Sequence, residues 1–311
     1  MRITILLFFL TGIHLLTADD TMRTAVQRAI PLIEKSAATY IEERSCFSCH
    51  HQALTVMALG RAKLTGFTIQ DNIVSEQTKF TLEYFTDRKE RLPKGEGVPG
   101  GSYSAGYALA GLSAAKEPAN ETTQALIQYL LKTQKKDGSW RIRTHRPPLE
   151  DSDFTATALG LKAMAKTDHA RKAGQWLVKT QAKSTEDHVF KILGLHWAGM
   201  EKETKAASNS LLKLQREDGG WAQLSEMKSD AYATAQALTV LKQSGLLKPD
   251  SPQYKRGVAW LLKNQKPDGS WHVKTRSKPI QKYFESDFPH GKDQFISISA
   301  TCWAIMALLE K

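Results

Sequence analysis

The chain has 311 residues, of which 41% are hydrophobic and 24% charged, and its formal net charge is +11. This composition is that of a soluble globular protein and excludes a disordered or fibrous chain, and the length suits one closed ring of repeats. Three cysteines are too few, and odd in number, for a disulfide scaffold. The positive charge is compatible with an acidic substrate, but it falls mostly on predicted outer helices and turns. It therefore favours solubility and loose attachment to anionic cell-surface polymers.

Residues 1–18 are predicted to be a signal peptide. A short positive start and an almost unbroken apolar run, Ile3 to Leu16, lead to small residues that end at Ala18. The alternative, an uncleaved membrane anchor, is disfavoured because the run is short for a full span. We expect residues 19–311 to form a single domain that works outside the cytoplasm, in the bacterial periplasm or as a secreted protein. Export, and the lack of a basic-aromatic binding motif, argue against a nucleic-acid partner.

The first motif after this segment is C-x-x-C-H, in the run CFSCHH at 46–51. This spacing is typical of c-type haem attachment, with two thioether bonds to one porphyrin and the following histidine as an axial iron ligand. Cys46 and Cys49 are the predicted anchors and His50 the predicted ligand. The sequence does not fix a second axial ligand, for which a methionine and several histidines qualify: His145, His188, His196, His272 and His290.

Two other interpretations of this motif stay open. Cys46 and Cys49 with His50 or His51 could bind zinc, helped by a carboxylate such as Asp230. Alternatively, the two cysteines form a redox-active or structural disulfide, or remain free thiols. The third cysteine, Cys302, lies among apolar residues and is predicted to be a buried free thiol.

Internal repeats give the clearest prediction of fold. Residues 130–140 read LLKTQKKDGSW, residues 211–221 LLKLQREDGGW and residues 261–271 LLKNQKPDGSW. Each run ends an amphipathic helix with Gln, an Asp-Gly turn and Trp. We expect the leucines to face inward, the glycine to stop the helix in a left-handed conformation, and the glutamine to hydrogen-bond backbone groups. The tryptophan should then cover the neighbouring helix end.

Helices rich in small residues alternate with larger amphipathic ones, and almost no strand pattern is present. Small residues suit an inner ring, where helices approach closely. The predicted fold is an all-α, α6/α6 toroid, and six pairs favour a closed ring over an open solenoid. The inner helices are predicted near 49–63, 104–116, 153–166, 187–200, 230–244 and 297–310, and the outer ones near 26–41, 72–86, 120–134, 168–181, 202–215 and 252–265.

The run K-R-G-x-x-W-L-L-x-x-Q-x-x-D-G-S-W at 255–271 resembles the QW repeat of squalene-hopene and oxidosqualene cyclases. Protein prenyltransferase β-subunits share the same ring. The resemblance covers nearly all of the mature chain and implies a central cavity for a small, isoprenoid-like ligand. It is weak for function, since polysaccharide lyases, thioester proteins and lanthionine cyclases also use this toroid.

Alignment of the inner helices places one residue of each at an equivalent position near the helix start. These positions should surround one mouth of the cavity. An aspartate there is also a natural helix N-cap, a role compatible with lining the cavity. The aligned residues are Cys46, Gly101, Asp153, Asp187, Asp230 and Ser297.

The segment D-S-D-F-T-A at 151–156 resembles the D-x-D-D-T-A motif of the cyclases. In that family the middle aspartate, kept protonated, gives a proton to an alkene, and Asp153 takes its place here after Asp151. Phe154 stands where the third aspartate should be, and the second cyclase domain is missing. Both departures count against cyclisation.

Further predicted cavity groups are aromatic residues and one loop. Tyr107 and Phe154 could line the cavity, as could Tyr103, Trp197 and Trp303, although such residues are more often core. The loop 288–295 could cap the mouth with His290 and Asp293, or be an irregular connector. The leading hypothesis is an exported toroid that carries haem, with a redox partner or a bound ligand. The alternatives are an isoprenoid cyclase or transferase with Asp153 as acid, a zinc protein, an acidic-polysaccharide binder or lyase, and a plain scaffold.

Overall fold

The computed structural model describes residues 18–309, and these form two concentric rings of six α-helices. The outer ring is α1 (Ala18–Glu43), α3 (Asp71–Thr86), α5 (Glu121–Thr133), α7 (Asp168–Lys179), α9 (Glu201–Leu212) and α11 (Pro252–Asn264). The inner ring is α2 (Leu54–Leu64), α4 (Ser102–Ala114), α6 (Asp153–Ala163), α8 (Thr185–Trp197), α10 (Ala231–Gln243) and α12 (Gln294–Leu309). A π-helical turn, Cys49–Ala53, leads into α2.

The inner ring closes on itself. Each inner helix packs against the next, and α12 packs against α2. Small residues permit this close approach: a Cβ on Gly106 of α4 would lie 2.5 Å from the Leu159 side chain of α6. The prediction of a closed toroid is therefore confirmed, and if the π-helical turn is counted with α2, all predicted helix ends except one fall within about three residues of the observed ends.

The exception is α1, which begins at Ala18 rather than near residue 26. Residues 1–17 lie outside the described part of the chain, so the signal peptide stays a prediction. Among residues 18–309, no helix combines the length and apolar character needed to cross a membrane.

Each strong repeat forms the same clamp. In the third copy, Gln265 Nε2 donates to Ala25 O of α1 at 2.8 Å and to Gly269 O at 2.9 Å, and Trp271 Nε1 donates to Leu261 O at 2.8 Å. The first two copies repeat this pattern, with Gln134 and Trp140, and with Gln215 and Trp221. The predicted roles of glutamine and tryptophan are confirmed. The predicted role of the glycine is wrong. Each helix ends before the glutamine, and the glycine lies in the turn that follows.

Gly269 is needed both for its backbone angle and for space. Its φ is 97°, and a Cβ there would lie 2.5 Å from Arg28 O of α1. Gly199 also has a positive φ, 70°, but a Cβ at that position would meet no atom within 4 Å. Gly199→Ala should therefore cost only the left-handed strain, about 1–2 kcal/mol. Gly269→Ala should lower the free energy of unfolding, measured by urea denaturation, clearly more than Gly199→Ala does. Equal losses for the two variants would contradict the role of Gly269 in the clamp.

Candidate functional site

The beginnings of the inner helices gather at one mouth of the ring, as predicted, but the aligned residues occupy different positions there. Gly101 and Asp230 are the N-caps of α4 and α10, and Asp153 is the first residue of α6. Asp187 is the third residue of α8, where it forms a capping box with Ser184. Cys46 precedes the π-helical turn by three residues, and Ser297 lies inside α12.

The C-x-x-C-H motif borders an open pocket of about 460 Å³ at this mouth. Cys49 and His50 form one side, and two chain segments, 146–150 and 274–283, form much of the rest. The volume lies within the range of about 300–1,000 Å³ that is usual for small-molecule sites. We call this cavity the mouth pocket.

The lining of the mouth pocket combines apolar walls with an excess of basic groups. The walls include Pro147, Pro148, Leu149, Pro279, Ile280, Phe295 and Ile296, and the basic groups are Arg146, Lys274, Lys278, Lys282 and Lys292. Arg146 is paired with Glu150, and the other acidic lining residue, Asp293, is paired with His272. The four lysines make no salt bridge within residues 18–309. The pocket therefore favours an apolar ligand that carries negative charge.

A chain of buried hydrogen bonds reaches the mouth pocket from the far side of the motif. Gln294 Nε2 donates to Phe284 O at 2.8 Å, which leaves Gln294 Oε1 as an acceptor. Ser286 Oγ donates to that oxygen, and Ser36 Oγ donates to Ser286 Oγ at 3.1 Å. Since a hydroxyl has one proton, Ser36 can only accept from its remaining neighbour.

That neighbour is His51, whose Nε2 lies 3.0 Å from Ser36 Oγ. His51 must therefore carry its proton on Nε2, and as a neutral ring it accepts on Nδ1. His50 Nδ1 contacts His51 Nδ1 and so is the donor of that pair. The network consequently leaves the lone pair of His50 on Nε2, in a residue that lines the mouth pocket.

Burial keeps both imidazoles neutral. It lowers the pKa of His50 to about 3, with a smaller contribution from the Arg146 charge, and it lowers the pKa of His51 well below the usual value. A neutral imidazole with one nitrogen hydrogen-bonded and the other free is the form that binds a metal.

The two motif cysteines differ in environment. Cys49 is buried, its Sγ accepts a hydrogen bond from Tyr103 Oη at 3.3 Å, and burial raises its pKa to about 12. Cys46 is partly exposed, lies 3.3 Å from Tyr40 Oη, and does not line the mouth pocket. Both are free thiols, as is the buried Cys302.

The predicted zinc ligands are not brought together. His51 is directed to Ser36, and Asp230 caps α10 through the amide of Ala233. Across residues 18–309, no three His, Cys, Asp or Glu side chains are grouped as a metal site would require.

Asp153, the predicted acid, forms a salt bridge at the start of α6. Its Oδ2 lies 2.7 Å from Arg141 Nη1, and its Oδ1 accepts from Ile142 N at 2.8 Å. Asp153 is therefore held by one salt bridge and one backbone amide. Asp151 contacts His145, and Phe154 packs outward against Trp176 of α7 rather than into the cavity.

The loop before α12 contributes Lys292 and Asp293 to the lining of the mouth pocket. Asp293 lines the pocket, bonds His272 Nε2 at 2.9 Å and accepts from Thr275 N. His290 lies outside the pocket, where its Nε2 contacts Ser270 Oγ at 2.7 Å and fixes the loop to the third repeat.

Sequence reasoning missed Glu186, a buried carboxyl of this mouth that accepts three hydrogen bonds. It is buried on α8 and accepts hydrogen bonds from Thr155 Oγ1 of α6 at 2.8 Å and from Tyr232 Oη and Gln236 Nε2 of α10 at 2.9 Å. Burial raises its pKa to about 7. The available signal was its spacing, because Glu186, Phe190 and Leu193 form an i, i+4, i+7 inward face.

Comparisons with known proteins agree with this architecture. Residues 188–311 match the family described as squalene-hopene cyclase C-terminal domain. No curated protein matches the chain.

Several solved structures share the fold. A variant of the type II terpene cyclase MstE from Scytonema, in complex with its substrate geranylgeranyl dihydroxybenzoate, has a TM-score of 0.63 and 15% identity, over 94% of this chain and 98% of that chain. Another MstE variant, in complex with the product merosterolic acid A, has a TM-score of 0.61 and 16% identity, over 94% and 97%. A possible GH105 family member from Salmonella enterica has a TM-score of 0.57 and 12% identity, over 96% and 95%. At these identities the similarity shows the fold alone.

Proposed function

We propose that this chain, an α/α toroid similar in fold to type II terpene cyclases, carries a covalently attached haem c at its mouth pocket. The observation that carries this proposal is the free Nε2 lone pair of His50, fixed by the hydrogen-bond chain through His51 and directly following Cys49 in the same pocket. The protein would then serve in electron transfer or in binding a ligand at the iron.

The chemistry of the mouth pocket supports a porphyrin as occupant. A porphyrin is a flat apolar body, and its two propionates are negative. The proline, isoleucine and phenylalanine walls suit the first property, and the four lysines without salt bridges suit the second. Bound there, haem would supply an iron centre able to exchange an electron or hold a small ligand.

The protein's own groups have distinct roles in this proposal. His50 would hold the iron through its Nε2, and His51 with Ser36 would keep its ring in the binding orientation. Cys49 already borders the pocket. Cys46 has to turn away from Tyr40 to reach it, and it lies in a segment without regular structure between α1 and the π-helical turn.

The same proposal includes export. Haem attachment to C-x-x-C-H in bacteria takes place outside the cytoplasmic membrane, which fits the predicted signal peptide. A periplasmic or secreted location and a redox partner therefore belong to the proposal.

The test is production in a host with haem-maturation machinery, followed by an absorption spectrum and an intact mass. We expect a Soret band that persists after acid-acetone extraction and a mass increase of one haem. Cys49→Ser and His50→Ala should remove most of the Soret absorbance, and Cys46→Ser should leave at most a singly attached haem.

Cys302→Ser is the matched control, because it removes a buried thiol of α12 outside the mouth pocket. It should retain the full haem mass. A wild-type protein with neither Soret band nor added mass would refute the proposal, and a zinc determination on the same sample would then test the competing metal.

A further inference from the structure

A second cavity occupies the opposite half of the central hollow. It has a volume of about 370 Å³ and is lined by residues from all six inner helices, and by no others. None of its lining residues is shared with the mouth pocket. We call it the inner cavity.

Four aromatic side chains line the inner cavity, together with aliphatic side chains and the polar Lys162, His196 and Gln243. Phe190 of α8 lies between Tyr107 of α4 and Trp303 of α12, with a ring-centroid distance of 6.4 Å to each. Trp197, Met57 and Met306 complete the apolar wall toward the C-terminal ends of the helices. These walls suit a flat or branched apolar body.

Three hydrogen-bond donors of the inner cavity, two of them buried and the third on the partly exposed Lys162, have no acceptor within residues 18–309. Tyr107 Oη and Trp303 Nε1 are buried and make no hydrogen bond within residues 18–309. The third donor, Lys162 Nζ, lies 4.7 Å from the centre of the Trp197 ring and forms no salt bridge within the same residues. Buried polar groups are normally paired, so two buried unpaired donors beside a cation in one cavity indicate a missing acceptor.

The charge on Lys162 selects among the possible acceptors. An ammonium group that is partly removed from water gains most from an anionic partner, and a carboxylate supplies both the charge and the acceptor oxygens. Burial also lowers the pKa of Lys162, as expected where no carboxylate is near. A neutral carbonyl would satisfy the hydroxyl and the indole but would leave the charge without a partner.

We infer that the inner cavity is a second ligand site that binds an apolar molecule carrying a carboxylate, with the carboxylate at Lys162 and the apolar body among Tyr107, Phe190 and Trp303. This inference does not depend on haem, because the two cavities have no residue in common.

Binding of 2-naphthoate and its neutral methyl ester tests the inference. Both probes have the same aromatic body and a carbonyl, and they differ in charge. Equilibrium dialysis with the purified full chain should show saturable binding of 2-naphthoate at one site, and the ester should bind about tenfold or more weakly.

Variants locate the site and separate its groups. Lys162→Met should weaken 2-naphthoate binding about tenfold and leave the ester unchanged, while Lys162→Arg should restore part of the loss. Tyr107→Phe should weaken both probes. Lys191→Met is the matched control, because Lys191 is also partly buried but its Nζ donates to Val178 O and Thr180 O outside this cavity.

Equal binding of the two probes, or a Lys162→Met variant that binds 2-naphthoate like the wild type, would overturn the inference. Neither outcome bears on the Soret test. Conversely, a protein without haem that binds 2-naphthoate through Lys162 would refute the haem proposal and support this one.

Discussion

Replacement of Trp271 by alanine is expected to lower the free energy of unfolding by about 3–5 kcal/mol. The indole is fully buried, and its Nε1 satisfies Leu261 O at the end of α11. Its backbone amide also donates to Thr301 Oγ1 of α12 at 3.2 Å. Truncation leaves a large cavity and removes one of the two hydrogen bonds that Leu261 O accepts, the other coming from Gln265 N, at the place where the last helix pair is fixed. Because single domains are stable by only about 5–15 kcal/mol, this loss is a large part of the total.

Urea denaturation followed by far-ultraviolet circular dichroism measures this effect without relying on tryptophan fluorescence. Trp260→Ala is the control, since Trp260 belongs to the same helix pair but is only partly buried and its Nε1 bonds the side chain of Asp218. Trp260→Ala should lower the free energy of unfolding much less than Trp271→Ala. Similar losses for the two variants would show that the repeat tryptophan does not hold the ring together.

Glu186→Gln is expected to change how stability depends on pH. The pKa of Glu186 is raised from 4.5 to about 7 by burial, so the folded state holds a proton that the unfolded state releases. For this sign, the stabilising contribution is complete below pH 4.5 and is lost as pH rises through about 7. The wild type should therefore lose about 3 kcal/mol across this window relative to the glutamine variant.

Thermal and urea unfolding at several pH values between 4.5 and 8 test this prediction. Glu226→Gln, which removes one exposed carboxylate, is the control for the loss of charge alone. Parallel pH profiles for the wild type and Glu186→Gln would mean that the buried carboxyl does not titrate in this range. The three hydrogen bonds to Glu186 would then outweigh its burial.

The repeats alone determined the architecture. Helix period, small-residue content and the Gln–Asp-Gly–Trp run are local patterns, and each specifies one helix or one turn with little help from distant residues. Three such clamps and six helix pairs left a closed ring as the favoured arrangement, and Gln265 indeed reaches Ala25 across the joint. The helix ends were predicted at the glycine, a few residues too late. A glycine in a turn and a glycine that stops a helix have the same sequence signature.

Only part of the candidate site could be predicted from local sequence patterns. The spacing of Cys46, Cys49 and His50 was visible as a motif, and Cys49 and His50 do border one pocket. The role suggested for Asp153 depended on whether a cation lay beside it, and Arg141 is twelve residues away in the chain. The similarity of residues 151–156 to the cyclase motif therefore could not establish the role of Asp153.

The sequence by itself determined the ring of helices, because repeated local signals fix each element separately. Only the tertiary structure decided what the mouth residues do, because their protonation and direction are set by partners from distant segments. His50 obtains its free lone pair through Ser36, Ser286 and Gln294, which the chain brings together from α1, a loop and α12. Glu186 likewise became evident only when α6 and α10 supplied its three donors.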